Sequence, residues 1–163
     1  MKIWFEHNRR LREEWYEWCK DVPLEELVKK RTGGIGGILH TLFHIVDVEW
    51  SWLQGMQGKP DFQENFEEYM TLEKVMELDA KFRLDVEPFV QAWDDSYETR
   101  LFDVESPNGG EFIETWGVLM RHVIAHQIHH LGQISVWARG IDKKPVSPNL
   151  IRKGLMIPYE TTK

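Results

Sequence analysis

The sequence predicts an all-α protein, a four-helix bundle with a small β-hairpin inserted before the last long helix. Three features of the chain carry that prediction. Long stretches repeat apolar residues every three or four positions, Gly and Pro clusters separate them, and one short region switches to alternation around an Asn-Gly pair. The 163 residues suit a single domain spanning 1–163. With 42% hydrophobic residues and 8 Trp, a sizeable core is available to it.

The first helix is expected from about Ile3 to Cys19, with Trp4, Leu11, Trp15 and Trp18 at helical spacing. Asp21 and Pro23 then start a short turn of helix, Leu24 to Lys30. Gly33, Gly34, Gly36 and Gly37 form a loose lead-in to the second long helix, about Ile35 to Gln54, which Gly55, Gly58 and Pro60 end. The acidic stretch from Asp61 to Tyr69 reads as a solvated loop or frayed turn. The third long helix runs from about Leu72 to Asp94, turning Val75, Phe82, Val86, Phe89, Val90 and Trp93 inward, with a kink at Pro88. Two β-like runs, Glu98 to Val104 and Glu111 to Trp116, flank Pro107-Asn108-Gly109-Gly110 as a hairpin. The fourth long helix extends from about Thr115 to Arg139 with Gly140 as its C-terminal cap. The tail with Pro145 and Pro148 is expected to pack over the bundle.

Composition excludes several function classes. A net charge of −7 and no basic stripe argue against nucleic acid as a partner, since phosphate binding needs clustered Lys and Arg. No apolar stretch reaches the roughly 18 to 20 residues needed to span a bilayer, so no membrane role is expected. The charged N-terminus lacks the apolar middle of a signal peptide, which makes a cytoplasmic location the expectation. A single cysteine, Cys19, rules out an intramolecular disulfide and a cysteine-based zinc site, and reads as a buried thiol near a helix end.

The chemistry-bearing residues are histidines. Of 7 in the chain, His122, His126, His129 and His130 fall together on the last helix, and His40 and His44 sit four apart on the second. His7 stands alone and is expected on the surface. Imidazoles four apart on a helix lie one above the other and can share an ion. His122 and His130 are about 12 Å apart along the axis, too far to share one. The apolar arc of the last helix, formed by Trp116, Leu119, Val123, Ile134 and Trp137, contains His130 and has His126 at its edge. The inward pair is therefore His126 with His130, leaving His122 and His129 at the rim or in positions that support the ligands from behind. On the second helix, Ile38, Leu42, Ile45 and Trp52 point inward; His44 flanks that arc, while His40 points further out. A metal site on His44, His126 and His130 follows, and three imidazoles leave open coordination positions. A lone inward histidine is most often a satisfied core residue; the pair with a third available is what changes the reading.

His126-Gln127-Ile128-His129-His130 also approximates the zinc-protease helix H-E-x-x-H, but Gln127 cannot take a proton from a bound water, so proteolysis is set aside. Asp47 is placed to hold an imidazole N–H, with a solvated carboxylate as the plainer alternative. Gln133 is a residue for contact with a cofactor or water. Gly132 reads as a packing position, and Trp50, Trp52, Trp116 and Trp137 read as core before substrate cleft.

The run His126-Gln127-Ile128-His129-His130-Leu131-Gly132-Gln133 resembles the H-x-x-H-H-x-G-Q signature of the DinB family, the DinB/YfiT-like metalloenzymes. Leu42-Phe43-His44-Ile45-Val46-Asp47-Val48-Glu49-Trp50 is similar to that family's second-helix motif, a ligand His followed by Asp and Glu, and Arg139-Gly140 and Pro148-Asn149-Leu150 fit as well. The resemblance implies an up-down-down-up bundle, commonly a homodimer, with a nickel- or zinc-like divalent ion on His44, His126 and His130. Gln127 departs from it, since many relatives carry Glu there. Relatives with known activity include S-transferases and isomerases that use a low-molecular-weight thiol such as bacillithiol or mycothiol. The expectation is a metal-dependent transferase that activates a small thiol for attack on an electrophile. The alternative is a non-catalytic, stress-induced metal-binding or interaction protein on the same bundle. The family name refers to DNA-damage induction and says nothing about binding DNA.

Overall fold

A computed structural model of the chain describes residues 1–105 and 111–151. Its elements run α1 (Lys2–Lys20), α2 (Leu24–Val28), α3 (Ile38–Met56), α4 (Leu72–Ala92), β1 (Leu101–Glu105), β2 (Glu111–Thr115) and α5 (Trp116–Arg139). Short 3-10 turns at Phe66–Glu68 and Asp95–Tyr97 lie on either side of α4.

Side-chain pairs fix the direction of each long helix. Asn8 donates to the carbonyl of Ile124 and Trp18 to that of Lys144, so α1 and α5 run parallel. Arg12 reaches Asp79 and Arg9 reaches Glu87, so α1 and α4 are antiparallel. His44 faces His126 while Trp52 faces His122, so α3 and α5 are antiparallel too. The bundle is up, down, down, up, with α1 and α3 on opposite corners, each packed on both α4 and α5.

Packing more than local signals holds these helices. Neither α1 nor α3 has a side-chain N-cap, whereas Thr71 caps α4 and Thr115 caps α5. The shared core draws Phe5, Leu11 and Trp15 from α1, Leu39, Leu42 and Leu53 from α3, Val75, Phe82 and Val86 from α4, and Met120, Val123 and Ile134 from α5. Each such side chain contributes about 1.5–3 kcal/mol by leaving water.

Several elements differ from expectation for identifiable reasons. α2 stops at Val28, because Arg31 turns back to Glu26 with its guanidinium and to the Gly36 carbonyl with its backbone N–H. Left-handed backbone at Gly33, Gly34 and Gly36 delays α3 to Ile38. α4 runs through Pro88 to Ala92. The strands pair antiparallel with Leu101 opposite Thr115 and Glu105 opposite Glu111; the Pro107–Gly110 turn lies outside the described residues. The cap expected at Gly140 sits two residues later. Gly140 has a helical φ of −66°, and Asp142, at φ 56°, takes the left-handed position. Asp142 N–H then bonds the Arg139 carbonyl and Lys143 N–H the Ala138 carbonyl, the two bonds of a Schellman ending. The tail up to residue 151 does lie over the bundle, where Val146 packs against the core.

Two α1 residues exchange the places expected of them. Trp4 lies on the predicted face but is 42% exposed, although its neighbour Phe5 is fully buried, while His7 is only 4% exposed with its ring edge-on to Trp4. No helix among the described residues is long and apolar enough to cross a membrane.

Candidate metal centre

The antiparallel pairing of α3 with α5 sets His44 against the His126–His130 pair. Nε2 of His126 lies 3.0 Å from Nε2 of His44 and 3.1 Å from Nε2 of His130. One ligand atom from each of the three histidines falls within 4.8 Å of the other two, the single such group of metal-ligating side chains among the described residues. The donor set fits a divalent ion. Bonds of about 2.0–2.1 Å in tetrahedral geometry need nitrogens about 3.3 Å apart, a small adjustment from those seen.

Electrostatics favours the ligating form. Burial first, then the neighbouring His130 and His40, pull the His44 pKa down to about 4. Burial, followed by His130 and His44, pulls His126 down to about 3. His130 is also lowered by burial, against an opposing hydrogen bond to the Gln133 amide oxygen. All three rings are therefore neutral at neutral pH, as a metal requires.

The surroundings divide the remaining sequence candidates. Gln133 lies within 2.8 Å of His130 Nδ1 through Oε1 and within 3.0 Å of His129 Nε2 through its amide nitrogen, so both ends of the amide meet histidines. His126 Nδ1 is buried with no hydrogen-bond partner among the described residues. His122 sits at the rim, its ring 6.0 Å from that of His126 and edge-on to Trp52. His40 stacks on Phe66 at 4.1 Å, beyond the triad. Asp47 is buried, so it is not the solvated carboxylate of the plainer expectation, and the hydrogen bond it makes is to backbone rather than to an imidazole. It accepts from the Glu64 backbone N–H at 3.4 Å, tying down the segment after α3, and burial raises its pKa to about 6. Trp52 is half-buried and packs between His122 and Phe102.

One polar group went unread in the sequence. Gln127, adjacent to the ligand-position His126, is turned the other way and fully buried. Its amide nitrogen donates to Glu49 and its oxygen accepts from Arg12 at 3.3 Å. Arg12 also holds Asp79 through contacts of 2.7 and 2.8 Å, and the Tyr16 hydroxyl donates to the same carboxylate at 2.8 Å. Arg9 completes the group with Glu49 and Glu87. Burial pushes the Glu49 pKa up, but Arg12 and Arg9 outweigh it and hold the carboxyl below its usual range. The signal was present in the sequence: Arg12 lies on the same helical face as Trp15, and Glu49 follows the inward Ile45 by one turn. The Gln at the protease-like position is thus a partner of a buried carboxylate rather than a vacant catalytic base.

Comparison with known proteins agrees with the signature. The chain is 42% identical over 155 residues to the Uncharacterized protein YizA of Bacillus subtilis (strain 168), covering 95% of this chain and 96% of that protein. Residues 2–153 match the DinB family. With the helix order, the inserted hairpin and the three-histidine cluster in place, the chain belongs to the DinB family.

Proposed function

We propose that this protein holds one divalent transition ion, nickel or zinc, on His44, His126 and His130 and uses it to activate a low-molecular-weight thiol of the bacillithiol type against an electrophile. The observation that carries the proposal is the convergence of three neutral Nε2 donors from two helices, which leaves coordination positions for a ligand from outside the chain. When bound, such an ion supplies Lewis acidity that lowers the pKa of a thiol. The chain's own residues do the rest. The neutral imidazoles would hold the ion without offsetting its positive charge. Cys19 supplies no nucleophile: it is buried, and burial raises its thiol pKa to about 12.

The proposal includes a homodimer. Trp4 and Ile128 adjoin across α1 and α5, and Val136 lies two turns along α5 from Ile128 on the same face; all three are exposed and apolar. A monomer at every concentration in sedimentation velocity would remove that part.

The test is a conjugation assay in which zinc- or nickel-loaded protein meets bacillithiol and 1-chloro-2,4-dinitrobenzene. A metal-dependent rate lost in His126→Ala is the expected result. No rate above that variant, with metal bound, leaves the non-catalytic metal-binding reading. The buried engagement of Gln127, which removes an acid–base group at that position, would then be its support.

A further inference from the structure

Resting on the reading of His130 as a metal ligand, we propose that Gln133 is the positioning residue for that ligand, and that the bare backbone of Gly34 is what leaves Gln133 in place. A neutral imidazole carries one N–H. The oxygen of a carboxamide can only accept, so the 2.8 Å contact between Gln133 Oε1 and His130 Nδ1 puts the proton on Nδ1 and the lone pair on Nε2, the atom facing His126. Turned over, the amide would present N–H to Nδ1, move the imidazole proton to Nε2 and block the ligand position. In this orientation the amide nitrogen lies 3.0 Å from His129 Nε2, to which it donates when His129 carries its own proton on Nδ1. His129 thus contributes to the site without facing the triad centre.

The loop before α3 reaches the same amide. A Cβ built on Gly34 would run into Oε1 and Cδ of Gln133, and nothing else lies as close. Because that end of Gln133 is the tip of a flexible side chain, it would give way and take its hydrogen bond to His130 with it. Gly34 also has φ +53°, so a substitution there strains the backbone as well. Gly33 separates the two effects. It has φ +86° and nothing within 4 Å of its would-be Cβ, so it bears backbone strain without a collision.

The experiment measures Co(II) affinity of tag-free protein by chelator competition, with the visible Co(II) spectrum as a second readout of the nitrogen ligands. Gln133→Leu is expected to weaken binding roughly 10- to 100-fold and change the spectrum, as loss of an outer-shell partner does. Gln133→Glu, which keeps an acceptor, retains wild-type affinity or exceeds it. Gly34→Ala weakens binding by a factor similar to Gln133→Leu, Gly33→Ala does not, and Gly34→Ala adds nothing in the Gln133→Leu background. Wild-type protein that binds no Co(II) overturns the metal reading itself. Wild-type protein that binds Co(II), with Gln133→Leu and Gln133→Glu indistinguishable from it, overturns this inference alone, a comparison that stands even if Gly34→Ala fails to fold.

Discussion

Replacing Glu49 by glutamine removes one charge from the interior while nearly keeping the shape of the side chain. Glu49 accepts from Arg9 at 3.5 Å, from Arg12 at 3.3 Å and from the Gln127 amide, and all of these groups are buried. Without the charge, two buried guanidiniums lose a counter-ion they cannot replace from water. Breaking one side of a buried ion pair costs about 3–5 kcal/mol. Arg12 keeps its two shorter contacts to Asp79 and Arg9 keeps Glu87, which puts Glu49→Gln at the lower end, about 3 kcal/mol. For a chain of this size that lowers Tm by roughly 6–12 °C. The pH dependence adds a second reading. Glu49 has a folded pKa below its ordinary 4.5, so its stabilisation is present above that value and lost as pH falls through the folded pKa. Glu49→Gln should therefore differ most from wild type at neutral pH and converge with it in acid. Calorimetry of metal-free protein between pH 3 and 7 measures both, and a Glu49→Gln Tm at pH 7 within about 2 °C of wild type would refute the buried-network argument.

Metal-free protein should lose stability as pH drops from 6.5 toward 4, because unfolded His44 and His126 take up protons that the folded rings, at about 4 and 3, refuse. Urea titrations in that range that show flat or rising stability contradict it. Asp47 has the opposite sign: its folded pKa of about 6 lies above the ordinary 3.8, so ionising it costs stability as pH rises through that interval. Asp47→Asn should then be more stable than wild type at pH 8 and little different at pH 3, and equal midpoints at pH 8 would count against burial as the cause. The Cys19 thiol, buried and shifted to about 12, should react with a disulfide reagent only after denaturant is added. Rapid labelling of native protein would show the thiol to be accessible.

The long helices were legible because their apolar periods are strong and their breaks are rich in Gly and Pro. The triad was legible for the same reason: the angular position of His126 and His130 on one helix follows from 100° per residue, and only the pairing with α3 had to come from the fold. What periodicity could not supply was the identity of buried polar partners. Gln127 and Glu49 come from helices far apart in sequence, and nothing local to either says that Arg12 lies between them. The Asp142 ending was missed because glycine is the usual left-handed residue, and Gly140 stood where one was wanted. Trp4 and His7 mark the limit of a helical wheel drawn from apolar residues alone, since within two turns of α1 the apolar Trp4 is exposed while Phe5 and the polar His7 are buried.

Metal content by mass spectrometry tests the account most directly, on tag-free protein and on His44→Ala, His126→Ala and His130→Ala prepared alongside. The account predicts close to one transition ion per wild-type chain and a large loss in each of the three variants, all still helical by circular dichroism. Wild-type protein free of metal after zinc or nickel loading, or variants that retain as much as wild type, would contradict it.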